Sequence, residues 1–454
     1  MFITIPKNIK TIAEILESRG FDCYIVGGAM RNMILKQKPK DWDLATDAEP
    51  EDIISIFKRV IPTGIAHGTV TILMKGQQYE ITTFRCESDY SDRRRPDSVS
   101  FTRSLEEDLK RRDFTMNAIA LHVKSEEIVD PHKGMEDIKN TLIRAIGDPF
   151  ERLQEDGLRI LRAFRFASQL DFSLEEETSK AISQSQFMLD SVSAERIRDE
   201  FEKILLSNNP VYGFELMDTH ESLLKLFPEL TACKGVTQKG DHNFDVYYHC
   251  LYTCEGAPKD LVIRLAGLFH DIGKPVVRGV KENGEVTFYN HQQKSSEIAQ
   301  NILQRLKFPN SLIKKTCHLI SHHMFDYTEE FSDAAVRRFI ARVGIEYIEP
   351  LFQLRYADQY GFARKKPRFD NLKAFRKHIQ RVLDEEAPFS IKDLAVNGNT
   401  LHTQAGIPKG PQMGTVLYFL LDTVLDDPSQ NTEEQLIHIA RKFYETRLKT
   451  QESD

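Results

Sequence analysis

The chain has 454 residues, 41% of them hydrophobic and 28% charged, and its 61 basic and 68 acidic residues give a net charge of −7. This globular composition excludes a disordered, fibrous or collagen-like chain, and the length suggests about three domains. With six cysteines, no long apolar run and no secretory signal pattern, the chain is predicted to be cytoplasmic, with reduced thiols and no membrane partner.

The segment 1–148 alternates short β-rich runs with helical patterns, which predicts a mixed α/β or α+β domain around one sheet. Two helices are predicted: IKTIAEILESRG, which stops at Gly20, and PEDIISIFKRV, with Pro50 in its first turn. The predicted strands begin at Cys23, Trp42, Thr69, Tyr79 and Ala118.

From Pro149 onward almost every segment has helical periodicity, as in EDGLRILRAFRFASQL, SAERIRDEFEKILL and SSEIAQNILQRLKF. A short hairpin is predicted around Asn283-Gly284, between Val280 and Phe288. We therefore expect three largely helical segments after the sheet domain, at 149–235, 236–365 and 366–454.

A glycine turn and an acidic pair stand in the first domain. A predicted strand runs into Gly27-Gly28, and a helix follows with Arg31 in its first turn; such a turn binds anions through backbone N–H groups. Asp41 and Asp43 are predicted to face the same side of a strand, where two carboxylates repel each other unless a cation separates them. Mg²⁺ suits this arrangement. The alternative is a tight turn followed by two surface acids.

Two further groups of side chains suit a nucleotide. Arg112 can hold phosphates, and Asp113 can accept hydrogen bonds from ribose hydroxyls, although both could instead form a basic capping loop. Asp156 and Arg159 are predicted to share a helical face, which Arg162 and Arg165 extend. The alternative there is a surface ion pair of little energetic weight.

An Asp acceptor beside an Arg donor matches the edges of cytosine and adenine, which both present an amine beside a ring-nitrogen acceptor. Uracil and guanine present a carbonyl beside an N–H, so they reverse the match. A site built on such hydrogen bonds can reject the mismatched base by ~10⁴-fold or more. One Asp/Arg pair of this kind can therefore pass CTP and ATP and exclude UTP and GTP without a nucleic-acid template.

Leu268 to Lys274, LFHDIGK, contains a vicinal His-Asp pair, a combination that ligates metals. It looks like the signature of HD domains, whose metal sites activate water for attack on phosphate esters. The predicted ligands of a divalent transition metal are His249, His270, Asp271 and Asp358, with His291 and His322 or His323 as candidates for a second metal.

The run from Arg355 to Arg381 has nine basic residues against Asp358 and Asp370, with interleaved aromatics. It predicts either a phosphate-tracking RNA surface or a solvated helical face. The acidic total argues weakly against a nucleic-acid partner, but RNA meets local surfaces rather than the total charge.

The first part of the chain resembles the class II tRNA nucleotidyltransferases, which comprise CCA-adding enzymes and bacterial poly(A) polymerases. The resemblance rests on VGGAMRNMIL, KDWDLATDAEPEDI, RRPDSVSF, RRDFTMNAIA, VDPHKGMEDI and EDGLRILRAFRFA, in this order. It implies an α+β chain with a DNA polymerase β-like nucleotidyltransferase head at 1–148. An all-helical neck, an HD-containing body and a tail would follow, with the tail at 366–454 a candidate for RNA binding.

The resemblance also implies roles for single residues. Asp41 and Asp43 would hold Mg²⁺, Gly28 and Arg31 would cradle the triphosphate, and Arg112 and Asp113 would bind the nucleotide. The EDxxR motif, here with Asp156 and Arg159, would choose the base. A loop containing Asp92, Arg93, Arg95 and Pro96 matches that of members able to add the terminal A, and some members carry an HD domain with phosphohydrolase activity.

The expected function is therefore untemplated addition of CCA to the 3′ end of tRNA from CTP and ATP. Two alternatives share the head: an A-adding enzyme that works with a separate CC-adding enzyme, and a poly(A) polymerase. Alternatives of other classes are a metal-dependent phosphohydrolase whose head only binds RNA, and a non-catalytic RNA-binding protein.

Overall fold

The computed structural model describes residues 4–87, 99–238, 244–328, 330–364, 370–385 and 388–448. The loop residues Asp92, Arg93, Arg95 and Pro96 lie outside these ranges, as do Lys365, Lys366 and Arg368 of the basic run. The chain divides into two compact units: Met1–Ala232 with Asn301–Asn310, and Cys233–Gln300 with Ser311–Asp454. The change of unit at Cys233 lies near the boundary that the sequence suggests at residue 235.

The first unit contains the sheet. Its strands are β1 (Cys23–Val26), β2 (Asp43–Thr46), β3 (Val60–Gly64), β4 (Thr69–Met74), β5 (Gln77–Thr83), β6 (Arg85–Glu87), β7 (Val99–Phe101), β8 (Ala120–His122), β9 (Ile128–Val129), β10 (Leu142–Ile143) and β11 (Ser173–Leu174). Seven of them form one sheet in the order β3-β4-β5-β2-β1-β8-β9. β2 lies parallel to β5 and antiparallel to β1, so it is a central strand.

The five predicted strands are confirmed as β1, β2, β4, β5 and β8. The strands β3 and β9 escape sequence patterns because none of their residues is buried. A core cluster that includes Val26, Ala45 and Phe84 packs beneath the centre of the sheet and fixes the ends of β1 and β2.

The helices of the first unit before residue 149 are α1 (Lys7–Glu17), α2 (Gly27–Ile34), α3 (Pro50–Ile56), α4 (Leu105–Lys110) and α5 (Gly134–Lys139). Those after it are α6 (Pro149–Glu155), α7 (Leu158–Leu170), α8 (Glu176–Gln184), α9 (Ala194–Leu205), α10 (Pro210–Thr219), α11 (Ser222–Leu226) and α12 (Pro228–Thr231). The predicted succession of a mixed sheet domain and a helical remainder is confirmed.

The described residues of the second unit form helices and a two-stranded hairpin. Its helices are α13 (Val246–Gly256), α14 (Leu261–Phe269), α15 (Lys274–Val277), α16 (His291–Arg305), α17 (Asn310–His322), α18 (Asp333–Val343), α19 (Ile345–Ala363), α20 (Asp370–Asp384), α21 (Gly398–Ala405), α22 (Pro411–Asp426) and α23 (Glu433–Phe443). The end of α16 and the start of α17 belong to the first unit. The predicted hairpin is confirmed as β12 (Gly279–Val280) paired with β13 (Val286–Thr287).

Among the described residues, no helix combines the length and apolar character that crossing a bilayer requires. All six cysteines are free thiols.

Candidate active site

The turn from β1 into α2 brings the glycines against charged side chains. Gly27 has φ +64°, a left-handed conformation that favours glycine. A Cβ there would lie 3.2 Å from Arg112 Nη1 and 3.3 Å from Asp43 Oδ2. Gly27 therefore lets Arg112 and Asp43 approach the backbone at the start of α2, and Arg31 follows in the second turn of the helix rather than in the first.

The acidic pair lies beside this turn. β2 begins at Asp43, and Asp41 is an exposed residue before it, so only one of the two carboxylates lies on the strand that was predicted to carry both. Their charges still interact: burial and the charge of Asp41 raise the pKa of Asp43, although Arg112 opposes the shift. Two carboxylates that disfavour each other's ionisation fit a divalent cation with oxygen ligands. Glu80 of β5 is the register partner of Asp43 and adds a third carboxylate.

Arg31 is a buried guanidinium whose hydrogen-bond partners, within the described chain, are neutral side chains. Its Nη1 donates to Asn117 Oδ1 at 2.7 Å and its Nη2 to Asn32 Oδ1 at 3.2 Å. Burial and the charge of Arg165 lower the pKa of Arg31 to about 10. The buried Nε has no partner among the described residues. A buried cation with an unused donor fits an anionic ligand such as a triphosphate.

Arg112 and Asp113 belong to two adjacent ion-pair networks. Arg112 Nη2 donates to Asp108 at 3.0 Å, and its buried Nε has no described partner. Asp113 accepts from Arg162 Nε at 2.7 Å and from Asn117 Nδ2 at 3.0 Å. Burial opposes ionisation of Asp113, but the charge of Arg162 and these hydrogen bonds hold its pKa well below the usual range. Asn117 therefore joins Arg31 to Asp113 through one amide.

Asp156 and Arg159 do not share a helix. α6 ends at Glu155, and Asp156 has extended backbone before α7 begins, so the predicted common helical face was wrong. Gly157 follows the break and packs closely against Met188, since a Cβ there would lie 2.4 Å from the Met188 carbonyl oxygen. Asp156 accepts a bidentate pair from Arg196, whereas Arg159 pairs with Glu155.

Arg165 forms an ion pair with Glu200, and burial lowers its pKa despite that partner. Its guanidinium carbon lies 3.9 Å from the centre of the Phe166 ring, and those of Arg31 and Arg162 lie at 4.9 and 5.4 Å. One aromatic ring therefore orients three guanidinium groups through cation–π contacts.

One cavity of about 620 Å³ gathers most of these groups. Its lining includes Gly27, Gly28, Arg31, Asp43, Arg112, Asp113, Asp156, Arg159, Arg162 and Arg165. Eight arginines but only three aspartates line it, which favours a polyanionic ligand. Among the described residues that were predicted to bind the nucleotide or Mg²⁺, Asp41 is the one that the lining does not include.

Sequence reasoning missed three residues at this cavity: Asn117 and Arg196, which line it, and Glu155, which pairs with Arg159. Asn117 carried a signal, because it is a polar residue inside the apolar run FTMNAIA. Arg196 carried none, since its partner is 40 residues away and α9 reads as an ordinary amphipathic helix.

The second unit contains a separate cluster of histidines and aspartates. His249 Nε2, His270 Nε2 and Asp358 Oδ1 lie 3.0 to 3.4 Å from one another, and Asp271 Oδ2 lies 3.4 and 3.3 Å from the two histidine nitrogens. Ligands bonded at ~2.0–2.2 Å to one metal ion have this spacing. Burial would lower the pKa of His270, but Asp271 and Asp358 raise it to about 10, so the cluster favours positive charge.

Two more histidines border the other oxygen of Asp271. Oδ1 lies 3.1 Å from His291 Nε2 and 3.8 Å from His323 Nε2. Both histidines donate Nδ1–H to backbone carbonyls, at 2.9 and 2.8 Å, so their Nε2 lone pairs point at a carboxylate oxygen. Such an arrangement needs a cation between acceptors. Of the two alternatives His322 and His323, His323 is the cluster member, because the His322 ring turns back along α17 to the His318 carbonyl.

The basic run pairs much of its charge within the second unit. Arg355 bonds to Asp358, Arg364 to Glu255, Arg376 to Glu349 and Arg381 to Asp333. These ion pairs favour the solvated helical face over the phosphate-tracking surface.

Three family models match the chain. They are "Poly A polymerase head domain" at residues 23–144, "Probable RNA and SrmB- binding site of polymerase A" at 171–234, and "tRNA nucleotidyltransferase domain 2 putative" at 286–440. The first contains the glycine turn, the acidic pair and Asp113.

Relatives and a solved structure agree with these matches. A CCA-adding enzyme of Enterococcus faecalis is 53% identical over 209 residues, which cover 45% of this chain and 51% of that protein. The CCA-adding enzyme of Ligilactobacillus salivarius is 34% identical over 98% of this chain and 99% of its own length. The CCA-adding enzyme of Bacillus stearothermophilus, solved in complex with CTP, superposes with a TM-score of 0.72 at 28% identity and covers 98% of this chain and 100% of that one. Because the relative from Ligilactobacillus salivarius is 34% identical over nearly the whole of both chains, the chain belongs to the CCA-adding enzyme family.

Proposed function

We propose that this chain adds C, C and A, without a template, to the 3′ end of tRNA in the cytoplasm, with CTP, ATP and Mg²⁺. One observation carries the proposal: an acceptor, Asp156, and a donor, Arg159, line the same arginine-rich cavity as Asp43. Base-selecting groups and the metal-binding carboxylate therefore bound a space of nucleotide dimensions, about 620 Å³.

Each end of the nucleotide has its own residues. Arg31 and Arg112, with unused buried donors, bind the triphosphate beside the N-terminus of α2. Asp113 lies between the two ends and accepts from sugar hydroxyls. Asp41 and Asp43 would hold Mg²⁺, which when bound steadies the attacking and leaving oxygens of the phosphoryl transfer.

The choice of base follows from hydrogen-bond polarity. Asp156 accepts from the exocyclic amine of cytosine or adenine, and Arg159 donates to the adjacent ring nitrogen. Uracil and guanine would place a carbonyl oxygen against the Asp156 carboxylate and a ring N–H against the Arg159 guanidinium. Neither contact is a hydrogen bond, so buried polar groups would remain unpaired.

The test incubates the protein with tRNA that lacks its 3′-terminal CCA, supplied with CTP alone, ATP alone or both. Addition of two C residues from CTP and of CCA from the mixture is the expected result. Failure to incorporate C would reject CCA addition and favour an A-adding enzyme, and a long A tail from ATP alone would identify a poly(A) polymerase. If no nucleotide is incorporated under any condition, the phosphohydrolase or RNA-binding alternative holds.

The cluster in the second unit supports a second activity, metal-dependent hydrolysis of phosphate esters by an HD-type site. His249, His270, Asp271 and Asp358 would hold one divalent transition metal, and Asp271, His291 and His323 a second, with Asp271 between them. Lys274 and Arg355 line the adjoining cavity of about 310 Å³ and would bind a phosphate.

Metal content and phosphate release test this activity. Purified protein loaded with Mn²⁺, Co²⁺ or Ni²⁺ is expected to bind two ions and to hydrolyse p-nitrophenyl phosphate or its bis ester. Asp271→Asn should lose metal and hydrolysis while C incorporation stays unchanged. His323→Ala should lose one ion, whereas His322→Ala, the adjacent control, should keep both; equal metal content in these two variants would contradict the assignment.

A further inference from the structure

The carboxylate of Asp156 is held by Arg196, a residue of another helix. Arg196 of α9 donates from Nη1 to Asp156 Oδ1 at 3.1 Å and from Nη2 to Oδ2 at 2.6 Å. This parallel two-bond contact is the most directional pairing available to a carboxylate. Both side chains are mostly buried, with 26% of Arg196 and 16% of Asp156 exposed, so solvent screens the pair only partly.

A count of lone pairs shows what the contact leaves for a nucleotide. An ionised carboxylate offers about four acceptor positions. Arg196 uses two, and the backbone N–H of Leu158 uses a third, at 3.0 Å from Oδ1. About one acceptor position therefore remains, and because Asp156 lines the cavity, that position serves a ligand with a single N–H donor.

We propose that Arg196 is a positioning residue for base selection, which aims this one acceptor of Asp156 at the exocyclic amine of CTP or ATP. The inference rests on the proposed function. A carboxylate that receives two N–H groups from a guanidinium presents an acceptor and no donor to the cavity. Arg196 thereby makes Asp156 reject the carbonyl that uracil and guanine carry at the same place.

The χ2 torsion of an aspartate is broad and roughly two-fold, so the carboxylate has little orientation preference of its own. Without Arg196, Asp156 can rotate away from the base, and a uracil carbonyl then meets no fixed acceptor. Loss of Arg196 should therefore weaken the use of CTP and, more specifically, reduce the preference for CTP over UTP.

The test compares Arg196→Met and Arg196→Lys with the wild-type protein on tRNA ending in its discriminator base. Steady-state incorporation of C and of U gives kcat and KM for each nucleotide. We expect Arg196→Met to reduce the CTP-to-UTP ratio of kcat/KM by about tenfold or more, the value of a charge-assisted hydrogen bond. Arg196→Lys keeps one donor and should recover part of the ratio.

Arg198→Met is the matched control. Arg198 lies on the same helix, has 23% of its side chain exposed and forms its ion pair with Asp199 at 2.8 Å, but does not line the cavity. Arg198→Met should lower the thermal unfolding temperature by a similar amount to Arg196→Met and keep the wild-type CTP-to-UTP ratio of kcat/KM.

An unchanged ratio in active Arg196→Met and Arg196→Lys proteins would overturn the role of Arg196, since a purely structural ion pair would change stability alone. If Arg196→Met does not fold, the ratio of Arg196→Lys decides in the same way. Absence of C incorporation by the wild-type protein would instead reject the proposed function, so the two failures are distinguishable.

Discussion

Arg31 and Asn117 are joined by a 2.7 Å hydrogen bond between Nη1 and Oδ1, although 86 positions separate them in the chain. The same amide donates from Nδ2 to Asp113, which is paired with Arg162. Asn117 thus connects the guanidinium that is proposed to bind the phosphates with the carboxylate that is proposed to bind the sugar.

Replacement of Asn117 by Ala should raise the KM for CTP and ATP by a similar factor of about tenfold, with a smaller change in kcat. The physical reason is that Arg31 loses its closest acceptor and its orientation, which costs about 1–3 kcal/mol. Steady-state kinetics with both nucleotides measure the effect, and Asn8→Ala, whose amide bonds to Gln77 and Tyr79, is the control. A change in the CTP-to-UTP preference at constant KM would contradict this role.

Asp43→Asn should reduce nucleotide incorporation by roughly 10²–10⁴-fold, because a metal-binding carboxylate contributes several kcal/mol to stabilising the transition state. The protein should remain folded, since the amide keeps the size of the side chain. Asp47→Asn is the control beyond the other end of β2, where Asp47 accepts from the Asp22 N–H at 2.8 Å. Wild-type incorporation by Asp43→Asn would remove the acidic pair from the mechanism.

Gly27→Ala and Gly20→Ala form a matched pair. Both glycines have positive φ, +64° and +89°, so each substitution should destabilise the fold by ~1 kcal/mol. A Cβ at Gly20 meets open space, whereas one at Gly27 presses on Arg112 and Asp43. Chemical denaturation should therefore show a similar decrease in the free energy of unfolding for both variants. Only Gly27→Ala should also reduce the rate of nucleotide incorporation, by about tenfold or more. Equal activities would show that the close approach at Gly27 is not needed.

The Asp113–Arg162 pair predicts a pH-dependent difference in stability. Because the pKa of Asp113 is lower in the folded than in the unfolded state, its ionised form contributes stability at neutral pH that is lost as the pH falls through the folded value. Arg162→Met leaves a buried carboxylate unpaired and should cost about 2–4 kcal/mol at pH 7, somewhat less than a fully buried pair because Arg162 is one-third exposed.

The difference in the free energy of unfolding between Arg162→Met and the wild-type protein should decrease as the pH is lowered from 7 to 4. Protonation of Asp113 in the variant removes the unpaired charge. Urea unfolding across this range measures it. The double variant with Asp113→Asn should recover most of the loss at pH 7, and a gap independent of pH would show that Arg162 stabilises by packing alone.

Local patterns were sufficient for the parts of the site that neighbouring residues build. The turn at Gly27-Gly28, Arg31 and Asp43 follow one another within a strand, a helix and a strand, so their proximity follows from the order of elements. The vicinal pair His270-Asp271 is equally local. The choice between His322 and His323 was not, since it depends on where α17 ends.

Pairings between distant segments could not be predicted in this way. The helical period of EDGLRILRAFRFASQL continues through Asp156, although the backbone of Asp156 is extended and separates α6 from α7. Asp156 and Arg31 find their partners, Arg196 and Asn117, in other elements. The sequence alone does not show which elements pack together, so it could not assign a role to either partner.

The break between α6 and α7 has a consequence for how nucleotide choice is maintained. Its geometry depends on Gly157, whose hydrogen atom faces the Met188 carbonyl at a spacing that no side chain fits. Any larger residue at 157 must displace either the Met188 segment or the turn that carries Asp156 and precedes Arg159. If these two residues choose the base, as proposed, the fidelity of the added sequence depends on a backbone position that is absent from the lining of the nucleotide cavity.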